Sequence, residues 1–390
     1  AVGWKGGAEV SIRRRGKNSW EITISHGFDP VTGERIRTFH SFKGTKRQAE
    51  EEQTRLLHRR DSGLSIEPSK LTVAELLREW LKSRPNLAPK TRQGYEHIVE
   101  EHLIPDLGTL RLTNLKPANI QRYFNDKADP EDPGKPKLSS TTLHHHYAVL
   151  HAALRYAVKM QYLPYNPSEA VEPPKVRKNE MKVLDQDQLL ELLEAARETN
   201  LYIPILIGAC TGLRRGEVLG LKWEDIDFSK NQLTVYRSLQ RINGETFFKS
   251  PKGDRVRTIH IGPDLARELK AHRERQAEVK ERMGDDYRDT DLVCTTENGE
   301  WLNPGSYSAA FRAFREKLDL PAIRLHDLRH TNATLLLDQR VPLKVVSERL
   351  GHSTTKLTGD TYAHVLEGQD QQAAKVFDLA LRRARKKTAK

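Results

Sequence analysis

Four short segments between residues 211 and 364 concentrate the side chains that could do chemistry. They read Thr-Gly-Leu-Arg-Arg-Gly-Glu at 211–217, Pro-Lys-Gly-Asp at 251–254, His-Asp-Leu-Arg-His at 326–330, and Leu-Gly-His-Ser at 350–353 with Thr-Tyr-Ala-His at 361–364. The candidate reactive side chains in these segments are Arg214, Lys252, His326, Arg329, His352 and Tyr362.

These residue types suit the cleavage of a phosphodiester without a metal ion. Negative charge builds on the two non-bridging oxygens during attack, and planar guanidinium groups stabilise it with paired hydrogen bonds. A hydroxyl must attack phosphorus, and the departing sugar oxygen needs a proton. A tyrosine hydroxyl has a pKa of about 10, so the surrounding cations would have to activate it. No carboxylate set for two catalytic metals is evident.

In this order and spacing the segments closely resemble the catalytic signature of the tyrosine recombinase (phage integrase) family, over about residues 180–366. The resemblance implies that Tyr362 attacks the scissile phosphate, forming a 3′-phosphotyrosyl link and releasing a 5′-hydroxyl. It implies that Lys252 protonates the leaving oxygen and that His326 assists proton handling. It assigns transition-state stabilisation to Arg214, Arg329 and His352. Because the link keeps the bond energy, no ATP, metal or other cofactor is implied.

Neighbours of these residues have simpler interpretations. We expect Arg215 to lie on the exposed side of a helix, and Glu217 to orient Arg214. For His330 we favour simple packing over a hydrogen bond to the site. We expect His364 to structure the loop beside the nucleophile.

The elements around the four segments mix helix and strand. Helices are predicted at 185–199, 202–209 and 215–221, and again from residue 265 onward. Strands are predicted between 233 and 261. Asn243-Gly244 is a two-residue hairpin signal, and a further strand is expected at 255–261.

Residues 1–63 predict a small module of three strands, at 9–15, 20–25 and 35–42, followed by a helix at 45–60. Thr45 and Gln48 have the spacing of a capping box. We predict that the sheet carries DNA-binding arginines, which are Arg13, Arg15, Arg35 and Arg37. A basic sheet lying in a DNA groove is the favoured reading, and a merely solvated sheet face is the alternative.

Residues 71–165 change to helical periodicity, with Thr72 as the first N-cap. Further helices are predicted at 88–103, 116–126 and 139–160. Consecutive histidines on a helix point about 100° apart, so His144, His145 and His146 cannot share one metal ion. We expect them to form a polar or phosphate-facing helix surface instead.

The predicted fold class is therefore mainly α with small β elements, in several domains. The resemblance implies an arm-type DNA-binding domain at 1–63, a helical SAM-like core-binding domain at 71–165 and a catalytic domain at 183–390, joined by linkers at 64–70 and 166–182. It also implies a homotetramer on double-stranded DNA, with core and arm-type sites, through exchange of a C-terminal helix near 371–381. The alternative is that this helix folds back onto the core of its own chain. DNA-bending or excision proteins are implied as accessory partners.

Composition supports a polyanionic partner only locally. The 390 residues hold 65 Lys+Arg and 53 Asp+Glu, a net charge of +12, but residues 1–63 carry +5 and residues 379–390 carry +6. Residues 64–378, which contain the predicted core-binding domain and most of the catalytic domain, are thus almost neutral. The chain has two cysteines, which is typical of a protein in a reducing compartment. Its first thirty residues are polar, which argues against a secretory signal, and no apolar run reaches the twenty or so residues of a membrane span. We expect a bacterial cytoplasmic, nucleoid-associated protein.

Two rival functions follow from the same residues. A type IB topoisomerase-like enzyme would share the cleavage chemistry but relax supercoils as a monomer, and the N-terminal module argues against it. The second rival is a DNA-binding protein that has lost catalysis, and the complete set of candidate residues argues against it. The sequence therefore favours a site-specific recombinase that integrates or excises a mobile element.

Overall fold

The computed structural model describes residues 10–28, 33–61, 71–132, 134, 136–176, 181–250, 256–366, 377–379 and 381. The chain divides into two compact units, residues 1–178 and 179–390. The described elements are mainly helices with small antiparallel sheets, as predicted. Within these ranges, no helix is long and apolar enough to cross a membrane.

The first unit begins with a three-stranded antiparallel sheet. Its strands are β1 (Val10–Gly16), β2 (Ser19–Phe28) and β3 (Arg35–Lys43), with β2 in the centre. Helix α1 (Lys46–Asp61) packs against β2, and alternation along the strand buries Ile22 and Ile24. The predicted capping box is present: the Thr45 amide donates to Gln48 Oε1 over 2.9 Å, and the Gln48 amide donates to Thr45 Oγ1 over 3.4 Å.

A helical core follows in the same unit. Its helices are α2 (Val73–Lys82), α3 (Pro89–Ile98), α4 (Ile104–Leu107), α5 (Pro117–Ala128) and α6 (Ser140–Lys159), with a π-helical turn at Val99–Leu103. Thr72 caps α2 through a capping box with Glu75, as its position predicts. The core contains the fully buried Trp80 and Leu150.

The histidine cluster on α6 differs from the expectation of a polar surface. His144 and His145 are exposed, but His146 is buried beneath them, and its Nδ1 lies 2.8 Å from Tyr123 Oη. Burial lowers the pKa of His146 to about 4, with nearby His102 lowering it further. The prediction was wrong for His146 because one residue of three consecutive helical positions turns inward and finds a buried hydroxyl partner.

The second unit holds the candidate catalytic segments. Its helices are α7 (Gln186–Ala196), α8 (Tyr202–Thr211), α9 (Arg215–Leu219), α10 (Pro263–Met283), α11 (Pro304–Arg315), α12 (Asp327–Asp338), α13 (Leu343–Leu350) and α14 (Thr355–Leu366). Its strands are β4 (Ile226–Asp227), β5 (Gln232–Val235), β6 (Ser238–Ile242), β7 (Glu245–Lys249) and β8 (Arg257–His260). The predicted Asn243-Gly244 turn joins β6 to β7, while β8 pairs with β5 in a separate three-stranded sheet.

Helix α12 is the element that gathers the site. It packs against α8, α13 and α14, so segments far apart in sequence meet around it. Residues 62–70, 177–180, 251–255 and 367–376 lie outside the described ranges, as do residue 380 and all residues after Leu381. The predicted linker at 64–70 and the candidate Lys252 therefore fall outside them.

Candidate active site

Arg329 is the most buried cation of the site. It lies on α12 with 3% of its surface exposed, and its Nη1 donates to the carbonyl of Gly212 over 2.7 Å. Its Nη2 makes no hydrogen bond to any described residue. Burial lowers the pKa of Arg329 to about 9, and the like charges of Arg214 and Arg257 act in the same direction. A buried guanidinium with an N–H donor to spare is suited to binding an anion.

Arg214 is fixed by the start of α9. Its amide donates to Glu217 Oε2 over 2.9 Å, and its Nη1 donates to Glu217 Oε1 over 3.0 Å. Its Nη2 donates to the carbonyl of Gly351 over 3.3 Å. The expectation that Glu217 orients Arg214 matches these contacts, because one carboxylate holds both the amide and the guanidinium.

Two glycines supply the carbonyls that hold these arginines. Gly212 ends α8 with φ of 68° and Gly351 ends α13 with φ of 67°, which is the left-handed helix cap that glycine favours. A Cβ on Gly212 would lie 2.6 Å from Leu350 Cδ2, and one on Gly351 would lie 3.0 Å from the Arg257 guanidinium. Both positions are therefore restricted by backbone conformation and by space.

Arg257 is a third cation of the site, and sequence reasoning missed it. Located on β8, it donates through Nη2 and Nη1 to the two oxygens of Glu217 over 2.6 and 3.2 Å, and through Nε to the Arg349 carbonyl over 3.0 Å. Burial alone would raise the pKa of Glu217, but its bonds to Arg257 and Arg214 outweigh burial and lower it. The sequence offered only a weak signal for Arg257, which is its position a few residues after the Pro-Lys-Gly-Asp segment at 251–254.

Two of the candidate histidines are neutral at pH 7. Burial lowers the pKa of His352 to about 4, with Arg329 and Arg214 contributing, and its Nδ1 lies 2.7 Å from Thr358 Oγ1. Burial also lowers the pKa of His326 to about 4, with a contribution from His330. Neutral imidazoles of this kind can either donate or accept a proton.

Tyr362 lies at a break in α14. Its φ of −117° and ψ of 21° depart from helical values, and the residue is 0% exposed. Its Oη lies 2.8 Å from His330 Nδ1. Burial raises the pKa of Tyr362 to about 12, and the positive charge of Arg329 lowers it in part. The preference for simple packing of His330 was wrong, because the ring is hydrogen-bonded to this hydroxyl.

The structure thus gathers five of the six candidates on α9, α12, α14 and the turns beside them; Lys252 lies outside the described residues. The His364 side chain, expected to structure the loop, also lies outside what is described. Arg215 is exposed on α9 as expected, and its Nη1 donates to Ser308 Oγ over 2.6 Å.

A basic cavity opens beside Arg214 and His326. Its volume is about 510 Å³, and arginines from three parts of the second unit line it. These arginines are Arg214, Arg215, Arg312, Arg315 and Arg324. Sequence reasoning did not single out the last three, since an arginine on a helix carries no signal of the surface it faces.

The N-terminal sheet places its four arginines on the face away from α1. Arg13 pairs with Glu21, and Arg37 pairs with Ser25. Glu21 and Ser25 alternate along β2 with the buried Ile22 and Ile24, so the paired arginines lie on the face opposite these isoleucines. Arg15 is held by Glu21 over 2.9 Å, and Arg35 Nε donates to Ser25 Oγ over 3.1 Å. Phe39 shares this face and is 65% exposed.

Comparison with known proteins identifies the family. Residues 182–369 match the phage integrase family, and residues 72–128 match the N-terminal SAM-like domain of phage integrases. A tyrosine recombinase XerC-like protein of Caldanaerobacter subterraneus subsp. tengcongensis is 31% identical, over 94% of this chain and 97% of its own. The chain belongs to the phage integrase family of tyrosine recombinases.

Solved structures agree in fold. The Tn1549 transposon integrase, in complex with transposon right end DNA, has a TM-score of 0.67 at 21% identity and covers 80% of this chain and 100% of its own. The lambda integrase tetramer bound to a Holliday junction has a TM-score of 0.54 at 19% identity and covers 90% and 97%. The activity follows from the family match: as a member of the tyrosine recombinase family, the chain is an enzyme that cuts and rejoins DNA.

Proposed function

We propose that this recombinase binds the scissile phosphate between Arg329 and Arg214 and attacks it with Tyr362. The observation that carries the proposal is the Arg329 guanidinium, which is 3% exposed, adjoins a second cation and leaves Nη2 without a described partner. A phosphate would satisfy Nη2 and remove the repulsion between the two guanidinium groups. The Gly212 and Gly351 carbonyls hold both cations in place beforehand, which is the preorganisation that such catalysis requires.

The attack would proceed in line. As Tyr362 Oη bonds to phosphorus, the bond to the 5′ oxygen breaks, leaving a 3′-phosphotyrosyl link and a 5′-hydroxyl. We assign the protonation of the leaving oxygen to Lys252, with His326 assisting proton handling. His352 has a neutral ring oriented by Thr358 and would donate to a non-bridging oxygen. Attack by a partner strand's 5′-hydroxyl would reverse these steps and reseal the DNA.

The N-terminal sheet would hold a second, arm-type DNA site. Arg13, Arg15 and Arg37 are exposed on one face of it, and the opposite face is occupied by α1. A β-sheet presenting a row of arginines fits a groove of duplex DNA. The SAM-like match at 72–128 supports a core-binding domain in the helical part of the first unit.

We further propose that the enzyme works as a tetramer on two DNA sites. Phe377, Leu379 and Leu381 are helical and 66%, 53% and 43% exposed, which suits a C-terminal helix that docks on a neighbouring copy. The similar fold of lambda integrase, solved as a tetramer on a Holliday junction, supports this arrangement. DNA-bending or excision proteins stay a prediction of the family resemblance.

To test this proposal, the protein is incubated with a nicked DNA duplex. The duplex carries the sequence at which the mobile element that encodes the protein joins its host chromosome. The nick lets the 5′ fragment diffuse away and traps the covalent intermediate. We expect a protein–DNA adduct on a denaturing gel that is absent in Tyr362→Phe, because phenylalanine has no nucleophile. An adduct that persists in Tyr362→Phe would refute the proposal. Supercoil relaxation without exchange between two sites would instead favour the topoisomerase-like alternative.

A further inference from the structure

The imidazole of His330 contacts Tyr362 Oη, the proposed nucleophile, but the proposed cleavage reaction assigns it no role. It is half-buried on α12, four residues after His326, and its Nδ1 lies 2.8 Å from Tyr362 Oη. Its ring packs edge-on against His326, with ring centres 5.2 Å apart. The hydrogen bond therefore joins a titratable base directly to the hydroxyl that must lose its proton.

We propose that His330 is the general base that takes the proton of Tyr362 during strand cleavage. The proposal rests on the proposed function, in which Tyr362 is the nucleophile. As the Oη–P bond forms, the Oη–H bond breaks and its proton passes to His330 Nδ1. The P–O5′ bond breaks on the other side, and its electron pair leaves with O5′, which is protonated by the acid there. On resealing, the His330 imidazolium returns the proton to Oη.

The geometry favours His330 over the other histidines for this task. His352 Nδ1 is turned to Thr358 Oγ1, and His326 contacts His330 by its ring rather than Tyr362. Among the described hydrogen bonds, the one from Tyr362 Oη runs to His330. Proton transfer requires this direct contact, so position decides between the three rings.

Burial and the charges around His330 favour the neutral form of its ring, which can accept a proton. Burial lowers the pKa of His330, Asp327 raises it in part, and Arg329 and Arg324 lower it further. The other groups that face it are His326, His352 and Tyr362. A neutral ring at pH 7 can take a proton, whereas the Tyr362 hydroxyl, with a pKa of about 12, loses its own only as the bond to phosphorus forms.

The first test compares His330→Asn with the wild-type enzyme on the nicked duplex. Asparagine places Oδ1 near the position of Nδ1, so it can accept the hydrogen bond but cannot take the proton. We expect cleavage at pH 7 to fall about 10²-fold or more. The deficit should shrink as pH rises, because deprotonation of Tyr362 in the variant increases about tenfold per pH unit. Unchanged DNA binding in a gel shift shows that the variant is folded.

A second test separates the base from the acid. In a duplex whose scissile phosphate carries sulfur in place of the 5′ bridging oxygen, the leaving group needs no proton. We expect this substrate to rescue Lys252→Ala but not His330→Asn, because the defect of the latter lies on the attacking side. Wild-type cleavage and pH profile in His330→Asn, or its rescue by sulfur, would overturn the role of His330. Either result would leave the role of Tyr362, tested by Tyr362→Phe, standing.

Discussion

The arginines of the N-terminal sheet and those of the candidate active site differ in their contact with water. Arg13, Arg15 and Arg37 lie on an open sheet face, and the Arg15 side chain is 53% exposed although it is paired with Glu21. In the second unit, Arg329 is 3% exposed and bound to a backbone carbonyl. Exposed charges attract a polyanion over a distance and are screened by salt, whereas buried charges act only on a group that reaches them.

This difference suits the two regions to the different tasks proposed for them. A solvated arginine adapts its position to DNA and costs the fold little. A buried arginine lowers the stability of the fold until an anion arrives, but it is already in the geometry that the transition state needs. The net charge of a region can therefore indicate a surface of exposed arginines, but it cannot indicate a site built from a few buried ones.

Replacing Arg329 by Met should have the largest effect and should separate activity from stability. We expect adduct formation to fall about 10³-fold, since a charge that stabilises the transition state is lost. The free energy of unfolding should rise by on the order of 1 kcal/mol, because the variant no longer buries a cation beside Arg214 and Arg257. Adduct yield and urea denaturation measure the two effects. Loss of both activity and stability would show that Arg329 is structural.

Glu217→Gln should have the next largest effect, on stability. It leaves the guanidinium groups of Arg214 and Arg257 without their shared carboxylate, and we expect a loss of about 3 kcal/mol. Because the pKa of Glu217 is lowered in the folded state, its contribution is present above the unfolded pKa near 4.5 and is lost as pH falls through the folded value. Denaturation of both proteins from pH 7 to pH 3 should therefore show a shrinking difference.

The control for that substitution is Glu348→Gln. Glu348 pairs with Lys344 on the surface of α13, and both side chains are more than two-thirds exposed, at 69% and 79%. This pair should contribute little at any pH. Equal effects of the two substitutions would mean that the buried carboxylate adds nothing beyond an ordinary surface ion pair.

Arg13→Gln and Arg37→Gln should have the smallest effects, each confined to binding. We expect each to reduce the slope of log affinity against log salt by about 1 at the arm-type site and to leave cleavage of the core junction unchanged. Filter binding across a salt series measures the slope. Arg47→Gln is the matched control, because Arg47 is also exposed but lies on α1, which covers the opposite face. Equal slopes for all three variants would contradict the assignment of the binding face.

The sequence predicted features that depend on near neighbours. The capping box at Thr45, the N-cap at Thr72 and the Asn243-Gly244 turn all involve residues within four positions of each other, so short patterns suffice. The catalytic signature named Arg214, Arg329, His352 and Tyr362 as candidates, and the structure brings these side chains together around α12, while their catalytic roles stay predictions.

Contacts between distant residues were not predictable in the same way. Arg257 binds Glu217 from 40 positions away, because β8 pairs with β5 rather than with the hairpin before it. His330 and Tyr362 are 32 positions apart and meet only where α12 packs on α14. His146 was misassigned because its hydroxyl partner lies on another helix.

The carbonyls of Gly212 and Gly351 hold the guanidinium groups of Arg329 and Arg214 although they carry no formal charge. Each lies at the end of a helix, where the backbone dipole is negative, so it attracts a guanidinium without adding a formal charge. The guanidinium groups of Arg214, Arg257 and Arg329 and the carboxylate of Glu217 together carry a net charge of +2. A second carboxylate would have held the arginines as well, but it would also have repelled the DNA. The carbonyls at two helix ends thus hold these guanidinium groups in place and leave their positive charge available to a DNA phosphate at the proposed site.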